Sequence, residues 1–539
     1  MKFDSFFQYT KKKIHITALF SLLFTLLFMQ GSHITFSGNI AGSLKKNYIT
    51  AWTIQDLVLF LLFFLTAFVL LSLLNFIVGN FSVAERKTLS WKAALSYMLI
   101  LSALLLLCWS PYLLSYYPGS VLADSLVSIR QALSERITSN HYPVVYSLFV
   151  GIFIKIGLVL GNINTGVFLY SLCQSLIMAV SLSFTLVWLY RKGVNKLILL
   201  IFFLFYGIMP FFPTYAIILW KDPIYSCALL LLMLLLFEVV ASKGTILASK
   251  RIIGAFVFLF AVISFFRNNG IYTVILCSFI LLFYYRKQML RTFVVSLCFI
   301  GIYFVITGPG YTKLGIESEF VESLGIPLQQ LGYTIANDGE LTHAEEEFLF
   351  TILPEKNWKK NYRPCIVDTI KWDQEFNAAY LEENKLTFIK VWGSVLTRNF
   401  GNYLNAYCLE TFGFWKPLVQ NSYGYVDTYI SNNELSIVPT DMFARIFGIS
   451  IQENLAAFRP MVGSGTLLWC FLICLYLCIM QFKKSWLILV PAFANWLVIL
   501  IATPVAFSLR YVYILALALP LAFCLPILIS RWEKEETVS

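Results

Sequence analysis

The chain is 539 residues long, 59% hydrophobic and only 13% charged, with a mean hydropathy of +0.76. Soluble domains carry about 25% charged residues, so a soluble globular protein is excluded and a membrane protein with many spans is expected. The formal charge of +11 does not point to nucleic acid, because Lys and Arg sit mostly in short loops between apolar runs, where they set orientation.

A helical span needs about 20 apolar residues. In chain order the runs 14–36, 54–79, 93–113, 165–190, 197–215, 223–242, 252–268, 270–286, 292–308, 463–482, 485–504 and 511–530 meet this need. The first follows the basic lead Lys11-Lys12-Lys13, is too long for a signal-peptide core and has no small-residue cleavage site after it, so it reads as a retained span. A thirteenth run, 143–160, is broken by Lys155 and decides the topology. With the first Lys cluster in the cytoplasm, keeping 143–160 outside makes the basic loops 191–196, 243–251, 285–291 and 482–486 and the C-terminal "RWEKEE" cytoplasmic. Letting it cross puts all five outside. The sequence therefore predicts about twelve spans in the cell membrane, both termini cytoplasmic, and an extracytoplasmic loop 114–164. Two helices lie along the membrane surface in that loop. Asp124 caps the first, and His141-Tyr142-Pro143 opens the second.

Four regions follow: a two-span extension 1–92, a core 93–308, an extracytoplasmic helical domain 309–462 and a three-span segment 463–539. The 309–462 stretch holds 19 of the 29 acidic residues against 12 Lys and Arg, which marks it as water-exposed. In it, Thr342 and Glu345 stand in capping-box register after the Asn337-Asp338-Gly339 turn. "DQEFNAAYLEENKLTFIKVWGSVL" reads as one long amphipathic run. Cys470, Cys474 and Cys478 recur every four residues and make a helix stripe, not a metal motif. Only Cys365 and Cys408 fall outside apolar segments, which leaves a bridge between them open. The four His form no HExxH pattern.

On this topology Asp124, the pair Lys221-Asp222 in "ILWKDP", Arg267 in "RNNG" and Arg510 in "SLRYVY" all reach the outer face near span ends. Charges at such depths are costly unless paired or facing a wet cavity. Singly each has a plain explanation: Arg267 and Arg510 as interfacial anchors, Asp124 as a helix cap, and Lys221-Asp222 as a local pair before a helix opened by Pro223. Together they mark a site.

In this order the parts resemble the GT-C superfamily of polyprenyl-phosphate-dependent glycosyltransferases, such as protein O-mannosyltransferases and lipid A aminoarabinose transferases. Asp124 matches the acidic residue of the first large outer loop, His141-Tyr142-Pro143 the Pro-containing turn, and Asp222 the later acidic residue before a span. Arg267 to Gly270 matches the basic-Gly turn and Arg510-Tyr511 the Arg-Tyr pair that opens the last span. Over residues 95–530 the segments "YYPGSVLADS", "HYPVVYSLFVGIFIKIG", "WKDPIYS", "RNNGIY", "ESLGIPLQQL", "YRPCIVDTIKW" and "ETFGFW" also resemble a Gram-positive family of polytopic membrane proteins grouped with these enzymes. Asp124 departs from the pattern by standing alone beside Ser125 where the enzymes often carry two acids, and the first two spans are extra.

The resemblance implies an all-α, GT-C-like membrane protein. Its reaction would be inverting transfer of a sugar from a polyprenyl-phosphate donor to a hydroxyl of a cell-envelope glycopolymer, glycolipid or protein. Asp124 and Asp222 would be catalytic, Lys221, Arg267 and Arg510 would bind the donor phosphate, and His141, Tyr142 and Asn268 would position the acceptor. Mg²⁺ or Mn²⁺ at Asp124 and Asp222 stays open. The expected partners are the lipid-linked donor, the acceptor and membrane lipids, with no nucleic acid. An envelope polysaccharide polymerase or ligase and a lipid or sugar flippase are the alternative readings.

Overall fold

A computed structural model describes residues 13–80, 87–482 and 484–538; Lys11, Lys12, Glu85, Arg86 and Lys483 lie outside the described residues. Where no water reaches, backbone N–H and C=O groups must bond within their own segment, and helices do this. The described chain is accordingly mostly helical, with almost no strand. Its one named sheet is a two-residue pairing of Ile34–Thr35 with Tyr48–Ile49, which closes the connection between α1 (Ile14–Ser32) and α2 (Ile54–Asn80).

The core follows as α3 (Trp91–Ser115), α4 (Ala123–Leu133), α5 (Val144–Val159), α6 (Ile163–Arg191), α7 (Lys196–Ile208), α8 (Phe211–Ile217), α9 (Asp222–Ala241), α10 (Lys250–Phe266) and α11 (Gly270–Val305). α9 is apolar on all sides and buried on nearly all of them, so it forms the centre of the packing. By contrast α2 exposes Val58 (69%) and Leu61 (62%), apolar surface that only lipid covers favourably. α5 packs on α4 and α6. Where it meets α6, Gly157 and Gly166 face each other with no room for a Cβ on either, the close approach that small residues permit between membrane helices.

Beyond α11 the chain folds into α12 (Gly325–Ala336), α13 (His343–Ile352), α14 (Ala378–Glu383), α15 (Lys385–Arg398) and α16 (Phe400–Thr411), with a core of their own around Leu328, Leu331, Trp358, Ile370 and Val395. The short helices α17 (Met442–Phe447) and α18 (Gln452–Ala457) lead to α19 (Ser464–Gln481), α20 (Val490–Ala502) and α21 (Leu519–Val538).

Among the described residues eight helices are long and apolar enough to cross a membrane. The number rises to ten if the bent pairs α7–α8 (53°) and Leu509–Leu517 with Leu519–Ser530 (40°) each count as one span. The chain is thus a helical membrane protein. The sequence count of twelve differs from this range by the runs 252–268 and 270–286, which fold as the 17-residue α10 and as Gly270–Arg286, the part of α11 that ends at the Tyr285 kink; these two helices are shorter than the eight. The decisive run 143–160 forms the 16-residue α5, about 24 Å at 1.5 Å per residue and shorter than a hydrocarbon core of about 30 Å.

Two local expectations change, and the open question of a Cys365–Cys408 bridge is answered. Asp124 is not the cap of α4: the N-cap is Leu122, and Ser125 takes the capping bond by accepting from the Leu122 N–H (3.2 Å). The long amphipathic run breaks at Asn384 into α14 and α15. Cys365 and Cys408 are both free. The Thr342–Glu345 box is present: the Glu345 carboxylate accepts from the Thr342 N–H (2.8 Å) and the Thr342 hydroxyl from the Glu345 N–H (3.4 Å).

Candidate functional site

Three distant loops are laced together by backbone hydrogen bonds. Ser120 donates to Ile217 and accepts from Leu219 (both 3.1 Å), while Val121 donates to Tyr429 (3.1 Å) and accepts from Ser431 (2.8 Å). The Ser125 hydroxyl adds a bond to the Leu219 carbonyl (2.8 Å). This lacing sets the first turn of α4, and with it Asp124, over the start of α9, where Lys221 is the N-cap and Asp222 the first helical residue. Arg267 arrives as the residue that ends α10, and Arg510 on the helical turn before α21. The Tyr511 carbonyl joins the last two by accepting from Arg267 (3.2 Å) and Asn495 (2.9 Å).

The charged groups form one chain. Arg510 Nη2 lies 2.7 Å from Asp124 Oδ2, and its Nε 3.7 Å from Asp222 Oδ2. Arg267 Nη1 lies 3.1 Å from Asp222 Oδ1. Burial is graded along this chain: the Asp222 side chain is 2% exposed, whereas Asp124 is 33% exposed and faces the mouth. Arg510 stacks on the rings of Trp220 (4.6 Å) and Tyr511 (4.9 Å), which fixes the plane of its guanidinium. Tyr142 donates to Asp124 Oδ1 (2.8 Å), and the Lys221 ammonium stands 4.8 Å over the Tyr142 ring.

Burial alone pushes the Asp124 carboxyl up, but the charges of Arg510 and Lys221 and the hydrogen bonds from Tyr142 and Arg510 outweigh it and bring it down to about 2. Burial pulls the Lys221 ammonium down to about 8, against the opposing pull of the two aspartates. The Tyr142 phenol is pushed far up, by burial first and then by Asp124.

Between Asp124, Tyr142, Lys221, Asp222 and Arg510 lies a cleft of about 190 Å³. On its wall Arg510 Nε–H and Trp220 Nε1–H are buried donors with no acceptor, and among the described residues no carboxylate lies within ion-pairing distance of the Lys221 ammonium. Unmet donors of this kind are costly unless an acceptor arrives. The cleft wall carries two cations, Lys221 and Arg510, against two carboxylates, with Arg267 behind Asp222 as a third cation, and its unspent donors give it the chemistry to hold an anion beside the Asp124 carboxylate. The same pairing argues against a divalent cation there: Arg510 engages both aspartates and Arg267 the inner one, so the oxygens such an ion needs already face guanidinium groups.

Of the residues singled out in the sequence, Asp124, Tyr142, Lys221, Asp222, Arg267 and Arg510 come together. His141 and Asn268 do not join them. The His141 ring turns away, 3.7 Å from Glu322, which Lys371 holds at 2.7 Å. Asn268 donates to the Asn140 carbonyl (2.7 Å) and so fixes the loop that carries Tyr142. Among the described residues His141, Glu319 and Glu322 are the one trio with metal-ligand atoms close together, within 4.8 Å, but with Lys371 already on Glu322. Sequence reasoning missed Trp220, the aromatic platform beside the "KDP" signal. It also missed the part played by Tyr511, although that residue stood in the Arg-Tyr pair.

No curated protein and no solved structure matches the chain. Asp222, Arg267 and Arg510 fall within a matched family segment, while Asp124 lies shortly before it. Over residues 133–538 the chain matches a family of unknown function, DUF6020, and it belongs to that family.

Proposed function

We propose that the chain is a GT-C-like glycosyltransferase of twelve spans, with the cleft on the extracytoplasmic face and α4 and α5 lying along the membrane. It moves a sugar from a polyprenyl monophosphate to an acceptor hydroxyl of the cell envelope, with inversion. The observation that carries this reading is the juxtaposition of the Lys221 ammonium and the unbonded N–H groups at Arg510 Nε and Trp220 Nε1 with a carboxylate at the mouth.

In the proposed step the acceptor oxygen attacks the anomeric carbon and the carbon–oxygen bond to phosphate breaks, its electron pair leaving on the phosphate. Arg510, Lys221 and the Trp220 N–H meet that growing charge, and one well-aimed donor is worth about 10²–10³ in rate. Asp124 takes the acceptor proton, an effect of about 10²–10⁴. With Arg510 on it, Asp124 is a poor base. A phosphate that draws Arg510 toward itself raises the proton affinity of Asp124 as the proton must move, so donor binding and base activation are coupled. Asp222 and Arg267 hold Arg510 from behind. The apolar tail lies between spans, and the helices from α12 to α16 cover the acceptor side.

The test is mass spectrometry of envelope glycans and lipid-linked sugars in a deletion strain complemented with wild type or Asp124→Asn. Loss of the same sugar in the deletion and the Asn strain, with its lipid-phosphate donor accumulating in both, supports the reading. Full restoration by Asp124→Asn sinks it and favours a flippase or scaffold.

A further inference from the structure

The segment 442–459, "MFARIFGISIQENLAAFR", takes no part in the cleft and carries apolar side chains that none of the described residues covers. Ile446 (58%), Phe447 (59%), Ile449 (66%) and Phe458 (47%) are exposed together, in a stretch whose charges are Arg445, Arg459 and the single Glu453. Scattered exposed apolar residues are ordinary, but four within thirteen positions, flanked by arginines, form a patch that needs a partner.

The segment is held firmly and at a definite height. At one end Thr440 N–H donates to the Tyr117 carbonyl (2.8 Å). At the other, Gln452 donates to the Ser115 carbonyl (2.6 Å) and its own carbonyl accepts from the Tyr116 hydroxyl (3.3 Å). Ser115 is the last residue of α3, so both clamps grip the end of a membrane-spanning helix on the side that carries Asp124. Between the clamps, Asp441 accepts from the Ala444 N–H (2.8 Å) and the Ser450 hydroxyl (2.6 Å), and Gly448 at φ +73° reverses the chain between them. The tip is a closed, buttressed loop, stiffened by the Phe443 and Phe447 rings (4.6 Å).

We infer that this loop is a foot inserted into the outer leaflet of the bilayer, with Ile446, Phe447, Ile449 and Phe458 among the acyl chains and Arg445 and Arg459 at the phosphate level. Two observations select lipid over a protein partner. The helix α17 that carries Ile446 and Phe447 packs on α3, which itself exposes Leu104 and Leu107 further along its length, so the lipid that covers α3 also reaches the patch. The arginines suit anionic headgroups, and aromatic and aliphatic groups flanked by basic ones suit the depth where chains meet headgroups. The insertion does not depend on the chemistry proposed for the cleft; that the leaflet is the outer one rests on the orientation proposed above.

The experiment uses the full chain reconstituted in liposomes. Phe447→Cys and, as a control on α15, Leu386→Cys are labelled with an environment-sensitive nitrobenzoxadiazole maleimide, with the unsubstituted protein subtracted for exposed Cys108 and Cys298. The expected result is blue-shifted emission at position 447 that doxyl lipids quench and aqueous cobalt does not, with the reverse at 386. Water-like emission at 447, equal lipid quenching at both positions, or a blue shift at 447 that vanishes as protein is diluted in lipid would overturn it, the last by pointing to a second copy of the chain.

Discussion

Asp222 and Glu410 are both nearly sealed from water, 2% and 0% exposed, but they keep different company. Asp222 sits between two guanidinium groups on a wall with unspent donors. Glu410, on α16, accepts from the neutral amide of Gln329 (3.0 Å), and burial, then the charge of Asp368, pushes its carboxyl well above the usual range. A buried acid with no guanidinium on it keeps its proton, and at Glu410 one carboxyl oxygen takes the Gln329 amide while the other, Oε1, finds no partner. A buried acid among guanidiniums keeps cations aimed and charged, which is of use only if something else needs them. The contrast separates structural from chemical burial within one chain, and substitutions sharpen it.

The largest effect is expected from Arg510→Met. It strips the partner from Asp124 and one of two partners from Asp222, costing about 3 kcal/mol, the low end for a broken buried pair because Asp124 is partly exposed and Arg267 remains. Transfer should vanish with it. Thermal unfolding in detergent and a transfer assay read the two losses separately. Next, Asp124→Asn should lower transfer by about 10²–10⁴ while the fold persists at neutral pH. The depressed carboxyl gives wild type stability that is present above about 4 and lost as pH falls toward about 2, and the Asn variant should lack that acid-side decline.

Lys221→Met should cost about 10² in rate through one lost donor. In wild type the same ammonium loses its charge above about 8, so the pH–rate profile should fall through that value and Lys221→Arg should move the fall upward. A smaller effect belongs to Glu410→Gln. With its carboxyl raised in the fold, the folded state holds a proton that the unfolded chain releases above about 4.5, so wild-type stability should decline as pH rises from there. The Gln variant should flatten that slope and leave transfer untouched. Arg130→Ala, which removes an exposed pair with Glu434, should leave both melting point and activity unchanged.

Much of the fold was legible because bilayer helices announce themselves as apolar runs, and each run of the sequence is helical here, with 197–215 and 511–530 broken into bent pairs. Span number was less legible. A broken span such as α7–α8 looks continuous in composition. The site divides in the same way. Asp124, Asp222, Arg267 and Arg510 stood out as charges in greasy surroundings, but their pairing joins residues hundreds of positions apart, and no local period encodes it. Asp124 was misread as a cap because Asp is a preferred N-cap, whereas Ser125 satisfies the Leu122 N–H and frees Asp124 for Arg510. In "HYP" the tyrosine, not the histidine, faces the cleft, a choice made by the turn before α5 and by Glu322 in a distant segment.

The most direct test presents reconstituted wild-type and Asp124→Asn protein with the lipid extract of the deletion strain and an envelope acceptor fraction, and follows release of free polyprenyl monophosphate. The account predicts release by wild type alone, matched by new sugar on the acceptor. Equal release by both proteins, or movement of the intact lipid-linked sugar across the bilayer without release, would contradict it.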